Sequence, residues 1–183
     1  VGYNRLSGYC SSGAPIGDYS GHRYTSNWSG VAVTLTHPLG DALAVNNLGD
    51  GSPEGVQIYY SDSTAWNNVK PKYYDSISTG RYWGVFMANG TNPSFDVTYS
   101  YQGHPQAKTG SNGTMNRLLR RANSADTIWV NSGAKLNLIV PNLFLGCREK
   151  YRGEYTLGFR KDSTRNRPGS GKALHFSHPT HVS

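Results

Sequence analysis

Short runs in which apolar and polar residues alternate recur along the middle of this chain, and turn-forming residues separate them. The clearest run covers residues 94–101, where alternation at period two is typical of a strand with one buried face. Its apolar positions share that face: Phe95, Val97, Tyr99 and Tyr101. Many short strands separated by turns indicate an all-β fold. We expect an antiparallel β-sandwich of about eight strands, with jelly-roll or immunoglobulin-like topology.

The composition supports this fold class. Only 36% of the 183 residues are hydrophobic and 16% are charged, while Gly (22) and Tyr (13) are abundant. A helical bundle would need more Ala, Leu, Glu and Lys, and a disordered chain would have fewer aromatic residues. No apolar run approaches the roughly 18–20 residues that span a bilayer, so we expect no membrane span.

Changes in composition divide the chain into four segments. Residues 1–28 are rich in Gly, Ser and Tyr and are expected to be irregular. Residues 29–159 carry the strand signals and form the predicted sandwich domain. Residues 160–171 have the basic, Gly/Pro/Ser-rich composition of a linker. Residues 172–183 resume an alternating pattern and are expected to start a next domain or to be a pairing strand.

The net charge of +7 is unevenly distributed. Residues 1–107 hold 5 basic and 7 acidic groups (−2), whereas residues 108–183 hold 13 basic and 4 acidic groups (+9). The densest basic stretch coincides with the predicted linker, which favours a solvated segment over a patch for an anionic polymer. A nucleic-acid partner is therefore not expected.

The two cysteines, Cys10 and Cys147, lie near opposite ends of the chain. A composition rich in Tyr, Asn, Thr, Ser and Gly favours secretion, and in that compartment the two cysteines are expected to form a disulfide. Two free buried thiols are the alternative. The location that follows is extracellular or at the cell surface.

Metal ligation is expected to be minor, and no cofactor is predicted apart from a calcium ion. The loop from Asp50 to Glu54 offers two carboxylates and several backbone carbonyls, the hard oxygen ligands that calcium takes. Three histidines, His175, His178 and His181, are spaced by three in a strand-like segment. Residues three apart in a strand face opposite sides, so this spacing argues against one zinc site.

Carbohydrate contact is predicted at a polar loop that carries aromatic residues. Trp66 stands among Ser, Asp, Thr and Asn residues, where a core position is hard to arrange. The candidate glycan-binding residues are Trp66, Asn67, Asn68, Tyr73 and Tyr74, with Tyr19 and Tyr24 as weaker candidates. By contrast, Trp83 and Trp129 lie inside apolar strands and are expected in the core.

No arrangement typical of catalysis is apparent in the sequence, and we expect no enzyme. The Gly-x-Ser-x-Gly motif and Gly-rich phosphate loops are absent. The acidic residues are scattered, and most stand beside Gly, Ser or Asn, as turn residues do: Asp41, Asp50, Asp62, Asp75 and Asp126.

Several segments resemble a noncatalytic β module found in large multi-domain secreted and surface proteins of gliding and marine bacteria. They include residues 48–59, the Arg-Tyr-Trp-Gly-Val-Phe strand at 81–86 and the Gly-Glu-Tyr-Thr-Leu-Gly strand at 153–158. The resemblance covers about residues 29–159 and implies no catalytic residues. Residues 171–176 resemble the opening strand of a laminin-G-like (concanavalin-type) jelly roll.

These observations predict a noncatalytic extracellular module of a surface or secreted protein, which acts in adhesion, glycan contact or as a structural spacer. The expected partners are a glycan or cell-surface polymer and neighbouring domains of the same polypeptide. The alternative is a self-assembling structural subunit (a surface filament, sheath or capsid protein) whose terminal segments pair with a neighbouring copy.

Overall fold

A computed structural model describes residues 21–26, 28, 31–49, 53–88, 94–109, 114–123, 126, 128–137, 143–150 and 152–161. These residues hold twelve strands: β1 (His22–Ser26), β2 (Val33–Thr36), β3 (Ala42–Asn47), β4 (Gly55–Ser61), β5 (Tyr74–Ile77), β6 (Tyr82–Ala88), β7 (Ser94–Ser100), β8 (Asn116–Arg121), β9 (Val130–Asn131), β10 (Lys135–Asn137), β11 (Leu143–Lys150) and β12 (Arg152–Arg160). The predicted all-β class is confirmed. The strand number exceeds the expected eight because several edge strands are only two to four residues long.

Two antiparallel sheets pack face to face, which confirms the sandwich. The larger sheet has seven strands in the order β1-β4-β6-β12-β8-β9, and β5 pairs with the far half of β12. The smaller sheet has five strands in the order β10-β11-β7-β3-β2. Strand β12 therefore pairs with β8 along one edge and with β6 and then β5 along the other.

The main core lies between the two sheets. The four residues predicted to share one face of β7 are all buried there: Phe95, Val97, Tyr99 and Tyr101. The prediction that Trp83 and Trp129 are core residues is also confirmed, since both are 1% exposed or less. Because alternate residues of a strand face opposite sides, Val56 and Ile58 enter this core while Gln57 and Tyr59 face outward.

A second, smaller apolar cluster lies on the outer side of the seven-stranded sheet. Leu118 faces the main core, and the next residue, Leu119, turns outward into this cluster. Its buried members are Ala65, Tyr74, Ile77, Leu119 and Trp129. Burying these side chains stabilises the segment that connects β4 to β6 and fixes it against the sheet.

The domain begins earlier than predicted, because strand β1 lies within residues 1–28, which were expected to be irregular. Strand β1 pairs with β4 at five positions, so backbone hydrogen bonds form a strand that the weak side-chain alternation does not reveal. Trp28 follows it and is 3% exposed, with its indole Nε1 donating to the Val31 carbonyl at 2.7 Å.

At the other end, β12 runs to Arg160, the first residue of the predicted linker. Residues 162–183, including the predicted pairing strand, lie outside the described residues. Cys147 lies on β11, but Cys10 is also outside them, so the disulfide stays a prediction. Among the described residues, no helix is long and apolar enough to cross a membrane.

Candidate functional site

Exposed large apolar side chains gather on two adjacent segments beside the seven-stranded sheet. Five of the seven such residues in the described part of the chain lie at positions 66–73 and 128–130: Trp66, Val69, Tyr73, Ile128 and Val130. The segments are neighbours because Val69 and Ile128 form a parallel β-bridge, and the Trp129 amide donates to the Val69 carbonyl at 3.2 Å. A clustered exposed apolar surface is typical of an interaction site.

Arg121 holds residues 62–73, which we call the Trp66 loop, in place. Its Nη1 donates to the carbonyl oxygens of Trp66 at 2.5 Å, of Asn67 at 3.2 Å and of Asp126 at 3.2 Å. Its guanidinium carbon lies 4.4 Å from the centre of the Trp129 ring, a cation–π contact. Arg121 is 3% exposed, so a buried cation fixes the first exposed segment through its backbone and contacts the second through the Trp129 ring.

The charge of Arg121 is balanced by Glu154. The Arg121 Nε donates to the Glu154 Oε2 at 2.6 Å, and the Tyr59 hydroxyl donates to the Glu154 Oε1 at 3.3 Å. The antiparallel register explains this row, since Tyr59, Gly84, Glu154 and Arg121 lie opposite one another on successive strands. A Cβ on Gly84 would stand 2.1 Å from the Tyr59 ring, so glycine is needed for that ring to reach Glu154.

Several buried polar atoms of the described residues on this side of the sheet have no hydrogen-bond partner in the structure, among them the Gln57 Oε1, the Tyr74 hydroxyl, the Arg121 Nη2 and the Trp129 Nε1. Gln57 is 5% exposed and lies opposite Tyr24 on one side and Phe86 on the other. Unsatisfied buried polar groups are rare in folded proteins. On the outer side of this sheet, polar atoms are therefore buried without the hydrogen bonds that usually accompany burial.

The predicted glycan-binding residues differ in their positions. Trp66 is 71% and Tyr73 is 69% exposed, and Asn67 is exposed with a left-handed backbone (φ 53°). Asn68 is half-buried. Tyr74 does not stand in a loop as expected: it begins β5 and is buried in the second cluster, because the β5–β12 pairing turns its ring inward.

A second polar cluster joins the two sheets at one end of the sandwich. Arg81 pairs with both Asp41 and Asp62, and the His37 Nε2 donates to the Asp62 Oδ2 at 3.0 Å. The Tyr99 hydroxyl donates to the second oxygen of Asp41 at 3.0 Å. Asp41 is fully buried and Asp62 is about one-third exposed, so their ion pairs with Arg81 add a second role to the turn positions that the sequence had indicated. Hydrogen bonds from His37 and Arg81 hold the pKa of Asp62 below its ordinary value against an opposing effect of burial.

Ser78 and His104 form a buried hydroxyl–imidazole pair, with the Ser78 Oγ 3.3 Å from the His104 Nε2. The His104 Nδ1 accepts the Gln106 amide hydrogen at 3.2 Å. Burial lowers the pKa of His104 to about 4, so the ring is neutral and its Nε2 carries the proton. In this tautomer the His104 Nε2 donates a hydrogen bond to the Ser78 Oγ and cannot accept the proton of the Ser78 hydroxyl. This pair therefore acts as a structural hydrogen bond.

The predicted calcium loop is only partly described. Asp50 lies outside the described residues, and Glu54 is exposed at the start of β4. Within the described ranges, no group of three or more His, Cys, Asp or Glu side chains is placed to hold a metal ion. The histidines at 175, 178 and 181 also lie outside those ranges, so the calcium site and the expectation against a zinc site both stay predictions.

Comparisons with known protein families, with curated proteins and with solved structures gave no match to this chain. The resemblance to noncatalytic bacterial surface modules therefore stays a prediction.

Proposed function

We propose that the chain is a noncatalytic module that contacts glycans through the Trp66 loop, residues 62–73. One observation carries this proposal: the Trp66 indole is 71% exposed while its own carbonyl is held by the buried Arg121. An exposed aromatic ring contributes little hydrophobic free energy to folding, because it stays in contact with water. A large exposed ring on an anchored loop therefore supports a binding role.

The loop supplies both parts of a sugar contact. The Trp66 and Tyr73 rings, 71% and 69% exposed, offer flat apolar surfaces to the C–H face of a pyranose, and the side chains around them are mostly polar. Because Arg121 fixes the backbone of the loop in advance, little ordering free energy is lost on binding.

A shallow surface of this kind supports weak contacts, which suits a module repeated along a surface or secreted protein. Linked copies raise the effective concentration at a polymer, so avidity replaces single-site affinity. We include an extracellular or cell-surface location in the proposal, supported by the Tyr-, Asn-, Thr-, Ser- and Gly-rich composition.

A self-assembling subunit is the second candidate function. The aliphatic residues Val69, Ile128 and Val130 lie along the edge of the seven-stranded sheet, next to strand β9, and are 44–56% exposed. Aliphatic side chains at a sheet edge favour contact with another protein chain over contact with sugars. Concentration-dependent oligomerisation that Val69→Asp together with Ile128→Asp abolishes would support it.

The test of glycan contact is a glycan array probed with the wild-type chain, with Trp66→Ala and with a matched control. Leu39→Ala is the control because Leu39 is also an exposed apolar residue (56%) but lies in the turn between β2 and β3. We expect Trp66→Ala to lose binding and Leu39→Ala to keep it, with equal thermal stability. Unchanged binding of Trp66→Ala to every glycan that the wild type recognises would overturn the proposal.

A further inference from the structure

Five basic residues lie close to Tyr73 and Tyr74, either along the chain or across the β5–β12 and β8–β12 ladders, and we call this group the basic patch: Lys70, Lys72, Arg117, Arg160 and Lys161. The Lys70 Nζ donates to the Tyr74 carbonyl at 2.8 Å. The Lys72 Nζ lies 5.6 Å from the centre of the Tyr73 ring.

Strand pairing brings the other members of the basic patch from distant parts of the chain. Arg160 lies opposite Tyr74 in the β5–β12 ladder, and the Lys161 amide donates to the Tyr73 carbonyl at 3.4 Å. Arg117 lies opposite Gly158 on β12 and therefore on the same side as Arg160. Burial lowers the pKa of Arg117, and the like charge of Arg160 lowers it further, so the two cations are close enough to repel.

This patch holds excess positive charge. Strand β5 contributes the exposed carboxylate of Asp75, so the local balance is five cations minus one anion, or +4. Among the described residues, none of the five cations forms a salt bridge; Arg117 and Lys70 donate to backbone carbonyls instead. Like charges held together without counter-charges destabilise a fold slightly, and an anionic ligand would relieve that repulsion.

Strand β8 links one member of the basic patch to the residue that anchors the Trp66 loop. Arg117 and Arg121 are four residues apart on the same side of β8, which separates them by roughly 13 Å. Leu119 lies between them and is buried beneath Tyr74 and Trp129. An extended polymer lying over the segment that covers this side of β8, residues 66–73, would therefore meet exposed rings and cations together.

We propose that the ligand of the Trp66 loop is an acidic polysaccharide, with sulfate or carboxylate groups bound by the basic patch and sugar rings on Tyr73 and Trp66. This inference rests on the proposed glycan contact and names its ligand class. It assigns a binding role to Arg160 and Lys161, which the sequence had placed in a solvated linker.

The number of cations, and not the exposed rings, favours a polysaccharide over a nucleic acid, because the bases of single-stranded nucleic acids also stack on aromatic rings beside cations. Tyr73 is 69% exposed with the Lys72 ammonium over its ring, an arrangement that lets one sugar unit contact the ring while its anionic substituent meets the ammonium group. Nucleic-acid affinity comes mainly from the neutralisation of several successive phosphates, and the Asp75 carboxylate among five cations leaves this patch a net charge of only +4.

The experiment measures affinity for a sulfated glycan, a uronate polymer, a neutral glucan and single-stranded DNA by biolayer interferometry. The variant is Lys72→Gln with Lys161→Gln, which removes two exposed charges. The matched control is Lys135→Gln, because Lys135 is an exposed lysine on β10 of the other sheet. We expect the double variant to bind the acidic glycans several-fold to about tenfold more weakly and the control to bind them as the wild type does.

Salt provides a second readout. Raising the ionic strength from roughly 0.05 M to roughly 0.3 M should weaken wild-type binding to acidic glycans and affect the double variant less. Tighter binding of the neutral glucan than of either acidic glycan, or equal affinities of the double variant and Lys135→Gln, would overturn the inference. Tighter binding of DNA than of every glycan would replace it with a nucleic-acid partner.

The two proposals fail separately. If Trp66→Ala abolishes binding to neutral glycans and charge has no effect, glycan contact stands and the acidic class is wrong. If the lysine variant loses acidic-glycan binding while Trp66→Ala keeps it, the basic patch stands and the role of Trp66 is wrong.

Discussion

Truncation of Arg121 gives the sharpest test of how the Trp66 loop is built. In Arg121→Ala, Glu154, which is 6% exposed in the wild type, would keep only the Tyr59 hydroxyl as a described partner. Removing one partner of a buried ion pair typically costs about 3–5 kcal/mol, because the remaining charge is desolvated and uncompensated. Three carbonyl oxygens in the loops at 66–67 and 126 would also lose their donor.

Urea unfolding followed by far-UV circular dichroism measures this loss. Arg117→Ala is the matched control, since Arg117 lies on the same side of β8 but is half-buried and donates only to carbonyls in the structure. We expect the control to lose about 1 kcal/mol, as for an ordinary hydrogen bond. Adding Glu154→Gln to Arg121→Ala should restore part of the loss, because it removes the unpaired charge.

Two results would contradict a buried, charged Arg121–Glu154 pair. One is an Arg121→Ala free energy of unfolding within about 1 kcal/mol of the wild type, which would mean that the pair is solvated. The other is a double variant no more stable than Arg121→Ala, which would mean that Glu154 is not left charged and buried.

Further predictions concern the turns and the pH dependence of stability. Gly103→Ala should destabilise the fold strongly in urea unfolding, because Gly103 has φ +87° and a Cβ there would stand 1.8 Å from the Leu39 carbonyl oxygen. Gly133→Ala, where φ is +77° and the space around the Cβ is open, should lose only about 1 kcal/mol in the same assay. Equal losses would show that the close approach is absent. His104 has a folded-state pKa of about 4, below its ordinary 6.5, so the unfolded chain binds its proton first and stability should fall as the pH drops from about 6.5 to 4. The free energy of unfolding should fall by about 3 kcal/mol across this pH range. His104→Gln should reduce that pH dependence in urea titrations at several pH values. An unchanged pH dependence in the variant would contradict the lowered pKa of His104.

The alternation of apolar and polar residues along the sequence was sufficient to predict the fold class. Alternation along residues 94–101 predicts a buried face because a strand's side chains alternate, and all four apolar positions are buried. Strand β1 was missed because its side chains follow no clear pattern and its order comes from pairing with β4. A sequence read in local windows does not contain that pairing.

The site was predicted in part. Trp66 and Tyr73 stand out locally, as large rings among polar residues, and both are exposed. Arg121 and Glu154 could not be found this way, because they are 33 residues apart and meet only through the β8–β12 register.

The basic patch was misread for the same reason. Local composition puts Arg160 and Lys161 in a linker, whereas the pairing of β12 with β5 puts Arg160 opposite Tyr74 and the Lys161 amide on the Tyr73 carbonyl. The near-neutral first part of the chain and the basic last part therefore contribute to one surface. Charge counted along a sequence does not show this convergence.

Mapping the ligand surface by NMR shows whether an acidic glycan binds at the Trp66 loop and the basic patch. An acidic oligosaccharide is titrated into uniformly ¹⁵N-labelled protein, and amide and indole shifts are followed. The account predicts shifts at the Trp66 indole, at the amides of residues 66–73 and at those of residues 160–161, with β2, β3 and β10 unchanged. Shifts confined to the five-stranded sheet, or an unmoved Trp66 indole at saturating ligand, would contradict it.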